Sequence, residues 1–192
     1  MSAPKFEDLQ AKYQELLDTM EIRESWMGRA NAAARKIISG KDRYVAVSKA
    51  LKKSDSNVYI PWQFIGIIHH LEGDCNFGTH LHNGDSLRRR THNVPAGRPI
   101  HGEPPFTFEE SAIDALKMRN IFNIKEWTMA RICYELEGYN GWGYIQHHPN
   151  VNSPYLWSGS NHYSRGKYVS DGQYSSEAVS QQTGTIIILK RI

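Results

Sequence analysis

The feature of this chain that most restricts its fold is a mostly apolar segment, residues 60–72, that ends in a carboxylate. Its sequence is Ile-Pro-Trp-Gln-Phe-Ile-Gly-Ile-Ile-His-His-Leu-Glu, and Gly73 follows at once. Pro61 suits the first turn of a helix, where its missing N–H is no loss. Gly73 suits the left-handed residue just past a helix end. The segment therefore predicts a helix over residues 60–72 with Glu72 in its last turn.

Glu72 is the first candidate for chemistry. The negative end of the helix dipole and removal from water both disfavour an ionised carboxylate, so we expect a raised pKa for Glu72. A carboxylic acid that keeps its proton near neutral pH can act as the general acid in glycosidic bond cleavage. The alternative interpretation is a surface glutamate that ends a helix and has no catalytic role.

Helical patterns also occur on both sides of this segment. Apolar residues spaced three and four apart, helix formers and stop signals predict helices over residues 5–38, 43–53, 107–119, 123–138 and 175–192. Thr107 and Glu110 have the spacing of a capping box. Residues 185–188 would equally suit a strand.

The segment from residue 75 to residue 105 is rich in glycine and proline. Asn83-Gly84 is a strong hairpin signal, so we expect a small β-hairpin or extended loop over residues 79–82 and 87–93. Without an internal repeat or linker, the expected fold is mostly α (α+β) in a single domain, residues 1–192. Its parts would be N-terminal helices at 1–58, a catalytic core at 59–145, and an aromatic loop with a C-terminal helix at 146–192.

Composition limits the classes of partner. The net charge of +3 favours contact with anionic polymers but falls short of the basic stripe of a dedicated nucleic-acid binder. No apolar run approaches the roughly 20 residues of a membrane helix. The first residues lack the basic and apolar regions of a signal peptide. We therefore expect synthesis in the cytoplasm, no membrane insertion and no nucleic-acid partner.

A second group of candidate residues follows the predicted helix 123–138. Tyr139, Asn140, Trp142 and Tyr144 are interleaved with glycines, which let a backbone approach a ligand closely. Tyr and Trp offer flat apolar faces for sugar rings, and Asn can both donate and accept hydrogen bonds. These residue types favour a carbohydrate site, although a packed aromatic turn is the alternative.

Further aromatic side chains occur in the C-terminal region among Ser, Asn and Gly. They also suit a polysaccharide cleft, with ordinary packing over the core as the alternative. They are Tyr155, Trp157, His162, Tyr163, Tyr168 and Tyr174.

Two of these elements resemble parts of the lysozyme-like superfamily, which includes lytic transglycosylases and goose-type lysozymes. Residues 65–72, followed by Asn76-Phe77, are similar to the family's helix that ends in the catalytic acid. Tyr139-Asn140-Gly141 is similar to its Tyr-Asn-x-Gly element, and the two occur in the family's order and at a similar separation. The resemblance covers about residues 60–145.

The resemblance implies a lysozyme-like fold with a β-hairpin beside an active-site groove. It implies that Glu72 is the general acid/base and that Tyr139-Asn140 lies across the groove. Trp142 and Tyr144 would contact the sugar. The substrate would be the glycan strands of peptidoglycan, cut between N-acetylmuramic acid and N-acetylglucosamine without a cofactor or metal.

The departures from the family pattern indicate a divergent phage-type or bacterial cell-wall lysin. Gly73 replaces the serine that commonly follows the acid, and the Gly-Leu-Met-Gln segment after the hairpin is absent. Hydrolysis and formation of a 1,6-anhydro product therefore both stay open. We expect a monomer that reaches the wall after holin-type release or through a secretion or injection apparatus.

The loop after Glu72 supplies three more candidates. Asp85 would orient a water molecule or support an oxocarbenium charge as a second carboxylate. Its alternative is a turn residue beside Asn83-Gly84. His80 and His82 alternate along an extended segment, so their side chains would share one face. They are candidates for the wall of the substrate groove.

Two other functions remain as alternatives. The histidines, among them His69, His70, His80 and His82, would suit a zinc-dependent cell-wall amidase or peptidase. However, neither H-E-x-x-H nor H-x-x-E-H occurs in the chain. The aromatic loops would also suit a non-catalytic module that binds cell-wall carbohydrate.

Overall fold

The protein is described by a computed structural model over residues 3–55, 58–119 and 121–192. Within these residues the chain is mostly helical with a small antiparallel sheet, as predicted. The helices are α1 (Phe6–Asp18), α2 (Glu24–Ser39), α3 (Lys41–Ser54), α4 (Trp62–Gly73), α5 (Phe108–Lys117), α6 (Met129–Asn140), α7 (Gly143–His147), α8 (Pro154–Trp157) and α9 (Thr185–Leu189). The strands are β1 (Lys167–Ser170) and β2 (Gln173–Ser175).

The chain forms two compact units. The first comprises Met1–Ala34 and Trp127–Arg191, and the second comprises Arg35–Glu126 together with Ile192. The single-domain expectation stays a prediction. None of the helices in the described parts of the chain is long and apolar enough to cross a lipid bilayer.

In the first unit, α1 packs against α6, and α8 packs against both α6 and α9. Leu17 of α1 and Leu136 of α6 are buried in this core. The short helix α9 is buried on every side, since Ile186, Ile187 and Ile188 are all buried. This explains its run of apolar residues.

In the second unit, α3 packs against α4 and α5. The apolar sequence of α4 is explained by its position, since Phe64, Ile65 and Ile67 are fully buried. Gly66 permits close packing on this helix, because a Cβ there would lie 2.5 Å from Ile37 Cγ2. The predicted central helix is thus confirmed, although Pro61 occupies the N-cap and not the first turn.

Several predicted boundaries were wrong because long-range contacts override local pattern. The helix predicted over residues 5–38 is two helices, and the intervening backbone pairs with a distant segment. There Asn161 N–H donates to the Glu21 carbonyl at 3.0 Å, and Arg23 N–H donates to the Gly159 carbonyl at 2.9 Å. The predicted helix 123–138 begins only at Met129, after the N-cap residue Thr128, and extends to Asn140.

The predicted C-terminal helix needs correction, and of the two forms predicted around Asn83-Gly84, a β-hairpin or an extended loop, the structure has the loop. Only Thr185–Leu189 is helical within residues 175–192. Around Asn83-Gly84 the structure has an isolated bridge between Thr79 and Ser86, and the two-stranded sheet lies instead at β1–β2. The capping box is confirmed, because the Thr107 side chain accepts from Glu110 N–H and the Glu110 side chain accepts from Thr107 N–H.

Candidate active site

Glu72 lies in the last turn of α4 and is half-buried. It is carried by a rigid element, because the preceding turns of α4 are packed inside the second unit. Desolvation disfavours the ionised carboxylate and raises the pKa of Glu72, while the positive charge of Arg119 opposes the rise. The expected direction of the pKa shift is therefore present, and burial is its main cause.

The end of α4 differs from the prediction. The helix includes Gly73, and the left-handed residue is Asp74, with φ 48°. Aspartate visits this conformation more readily than most residues, and Lys36 Nζ lies 2.6 Å from its carboxylate. Glycine at position 73 leaves space for the Thr79 side chain, since a Cβ there would lie 2.5 Å from Thr79 Oγ1. The loop after Glu72 can therefore fold back onto the helix end.

Asp85 is engaged in hydrogen bonds through both carboxylate oxygens. Its Oδ2 accepts from the backbone N–H of His92 at 2.7 Å and of Asn93 at 2.9 Å. Its Oδ1 accepts from Asn93 Nδ2 at 2.8 Å. Hydrogen bonds from Asn93 and His92 lower the pKa of Asp85, so it is ionised at neutral pH. Asp85 ties its turn to residues 92–93, and its role as a second carboxylate stays a prediction.

The prediction that His80 and His82 line a groove was wrong. His80 is fully buried, with its ring nitrogens 2.8 Å from Ser111 Oγ and 2.8 Å from the Arg89 carbonyl oxygen. The His82 side chain is only 1% exposed, and its Nε2 lies 2.8 Å from the Asp114 carboxylate. Burial lowers the pKa of His82 despite this carboxylate. Both imidazoles hold the loop against α5 and leave no surface for a substrate.

A groove of about 760 Å³ lies within the first unit. This volume is in the range of ligand-binding pockets in proteins. Asn140 and Tyr144, both predicted sugar-binding residues, line it. Its other lining residues include Tyr155, Lys167, Tyr168 and Gln181. Polar groups beside aromatic rings suit a carbohydrate, whose rings have apolar faces and hydroxyl edges.

One wall of this groove is the β1–β2 hairpin, which sequence reasoning missed. Tyr168 N–H donates to Tyr144 Oη at 3.2 Å, and the two rings meet edge-on with centroids 5.2 Å apart. These contacts attach the hairpin to α7. The turn is Asp171-Gly172, with Gly172 at φ 68° between the paired residues of the two strands. Asp-Gly is a strong hairpin signal that could have predicted this element.

Tyr139 and Trp142 are half-buried and do not belong to the lining of the groove. The Trp142 ring packs on Tyr134 with centroids 4.8 Å apart. It also covers Gly138, where a Cβ would lie 2.9 Å from the indole. Trp142 therefore packs on the end of α6, and the predicted contacts of Tyr139 and Trp142 with substrate stay predictions.

Glu137 is a buried carboxyl on α6 that sequence reasoning did not assign to the site. It is 1% exposed, and its Oε1 has no hydrogen-bond partner among the residues that the structure describes. Burial raises the pKa of Glu137 to about 7. Its position three residues before Asn140 places it on the helix that supports the groove.

The histidines do not converge on a metal site. Outside the few residues that are not described, no group of three or more His, Cys, Asp or Glu side chains is arranged to hold a metal ion. The zinc alternative therefore has no ligand set in residues 3–55, 58–119 and 121–192.

Comparison of the chain with protein-family models, curated proteins and solved structures finds no match.

Proposed function

We propose that this protein cleaves the β-1,4 bond between N-acetylmuramic acid and N-acetylglucosamine in peptidoglycan, with Glu72 as general acid and then general base. The observation that carries the proposal is the half-buried Glu72 carboxyl, whose pKa is raised, at the end of a buried helix. A glycosidic oxygen is a poor leaving group until it is protonated. A positioned acid whose pKa is raised keeps its proton to higher pH than an ordinary glutamate and can supply that proton.

The residues that line the groove of the first unit favour a carbohydrate as the substrate. Tyr155 and Tyr168 provide aromatic surface, and Asn140 and Gln181 provide hydrogen-bonding groups. Such a combination suits N-acetylated sugars, which expose both apolar ring faces and polar acetamido groups. A non-catalytic carbohydrate-binding module would use the same groove, so the test must separate binding from cleavage.

In the proposed reaction, the Glu72 carboxyl donates its proton to the leaving glycosidic oxygen. The resulting carboxylate then accepts a proton from the nucleophile that attacks the anomeric carbon. Water as the nucleophile gives hydrolysis, whereas the 6-hydroxyl of the substrate gives a 1,6-anhydro sugar. We propose that the protein acts on the wall after holin-type release or delivery by a secretion or injection apparatus.

The decisive experiment compares wild type with Glu72→Gln on purified cell walls. The glutamine cannot donate a carboxylic proton, so wall clearance should fall by roughly 100- to 10,000-fold while binding to sacculi persists. Glu126→Gln, at an exposed position of the same unit, is the matched control and should clear walls normally.

Absence of clearance by wild type from about pH 5 to about pH 8, with binding retained, would overturn the enzymatic proposal and favour the binding module. Mass spectrometry of the released fragments identifies the linkage and the reaction. An anhydro product is lighter than a hydrolysed product by one water molecule.

A further inference from the structure

The turn that contains Gly84 lies on the end of the helix that carries Glu72. A Cβ built on Gly84 would collide with the Glu72 carbonyl oxygen, so the two backbones are in direct contact. Gly84 N–H donates to the His80 carbonyl at 2.9 Å, and His80 is itself fully buried. The position of this turn therefore determines what covers the main-chain carbonyl of Glu72 in the last turn of α4.

The carboxylate of Asp85 holds the turn in this place. It accepts from His92 N–H, from Asn93 N–H and from Asn93 Nδ2, and it also lies 3.2 Å from Asn83 Nδ2. Asn83 Nδ2 in addition donates to the Asn93 carbonyl at 3.0 Å. Residues on both sides of Gly84 are thus tied to the same distant segment.

We infer that Asp85 is a positioning residue: its carboxylate fixes the Asn83–Gly84 turn against the main-chain carbonyl of Glu72 and thereby fixes the helix end from which the catalytic carboxyl projects. The inference rests on the proposed function and deepens it. It differs from a second catalytic carboxylate, because Asp85 acts through hydrogen-bond acceptance and not through its charge. The hydrogen bonds already occupy both of its oxygens.

Two substitutions separate these roles. Asp85→Asn removes the charge but keeps one oxygen, which can still accept from the backbone N–H groups of His92 and Asn93. Asp85→Ala removes both the charge and every acceptor. Asp42→Asn and Asp42→Ala, at an exposed position of α3, are the matched controls.

On cell walls, the positioning role predicts that Asp85→Asn stays within about tenfold of wild-type kcat. Asp85→Ala should lose roughly 100-fold, as expected when a catalytic group is displaced. A loss of roughly 100-fold or more in both variants would overturn the inference and assign Asp85 to the chemistry. Equal, near-normal rates in both variants would overturn it as well.

The second measurement does not require the protein to cleave cell walls. The pKa of Glu72 is measured by carboxyl ¹³C NMR titration in wild type and in both Asp85 variants. Both variants lose the charge of Asp85, and Arg119, the charged group acting on Glu72, is unchanged. The Glu72 pKa should therefore be lower in Asp85→Ala than in Asp85→Asn. Only the alanine releases the turn from the end of α4 and so exposes the Glu72 side chain to more water.

Equal Glu72 pKa values in the two variants would contradict the positioning role. If wild type cleaves no wall but the two pKa values differ, the proposed function fails while the structural link between Asp85 and Glu72 stands. If Asp85→Ala does not fold, Asn93→Ala replaces it, since it removes one donor to Asp85. A lowered Glu72 pKa in that variant supports the inference, and an unchanged one overturns it.

Discussion

The backbone of Gly84 packs directly on the carbonyl oxygen of Glu72, with no room for a side chain between them. Gly84 also has φ 78°, a conformation that L-residues rarely adopt. Two separate requirements, backbone conformation and close approach, therefore select glycine at this position.

Gly84→Ala should destabilise the protein and reduce wall clearance, because the new methyl group pushes the turn away from Glu72. Gly97→Ala is the matched control, since Gly97 has φ 75° but nothing lies within 4 Å of its Cβ position. The control should lose only the strain energy, about 1 kcal/mol. Urea unfolding measures both variants, and equal losses would contradict the close approach.

Tyr44 and His69 form a hydrogen bond in the core of the second unit. Nε2 of His69 lies 3.1 Å from the Asn76 carbonyl oxygen, which can only accept, so Nε2 carries the hydrogen. Nδ1 must then accept from Tyr44 Oη, 2.9 Å away. Tyr44→Phe leaves a buried acceptor without a donor and should destabilise the protein by about 1–3 kcal/mol in urea unfolding. Tyr59→Phe, at a residue that is 52% exposed, should change nothing measurable.

The lowered pKa of His69 also predicts how acid affects the stability of the protein. Burial lowers the pKa of His69 from 6.5 to about 4, so in mildly acidic solution the unfolded chain binds a proton that the folded protein does not. The contribution of His69 is constant above about pH 6.5 and falls as the pH drops towards 4, by at most about 1.4 kcal/mol per pH unit. Urea unfolding of wild type and His69→Gln across this range should show a smaller loss in the variant.

Glu137 makes the stability of the protein depend on pH in the opposite sense to His69. Its pKa in the folded protein is about 7 against an ordinary value of 4.5, so its favourable contribution is complete below about pH 4.5 and is lost as the pH rises to 7. Glu137→Gln removes this loss, and its stability relative to wild type should rise by about 3 kcal/mol between pH 4.5 and pH 8. Glu15→Gln, exposed on α1, should show no such rise.

Tyr168 should contribute to glycan binding through the groove. Tyr168→Ala removes an aromatic ring from the wall and loosens the hairpin from Tyr144, so affinity should fall about tenfold, or about 1.4 kcal/mol. The measurement uses the Glu72→Gln background and isolated glycan strands, so that no cleavage occurs. Tyr168→Phe keeps the ring and should bind nearly normally. An unchanged affinity in Tyr168→Ala would exclude this groove as the binding site.

Local sequence signals predicted some elements well. Apolar residues and Pro61 located α4, and Thr107 with Glu110 located the start of α5, because both signals act within a few residues of the structure they specify. The same reasoning placed the hairpin at Asn83-Gly84 and missed Asp171-Gly172. At the first site, pairing across the turn is limited to the isolated bridge between Thr79 and Ser86, and the Asp85 side chain ties the turn to residues 92–93.

The amino-acid order was sufficient to specify a mostly helical chain and a buried helix that ends in Glu72, since helix propensity, capping and apolar spacing are properties of neighbouring residues. Only tertiary packing decided the environment of that carboxyl and the burial of His80, His82 and Glu137. Their surroundings come from residues far away in the chain, such as Asp114 for His82, and no local pattern encodes which distant groups exclude water or supply a hydrogen bond.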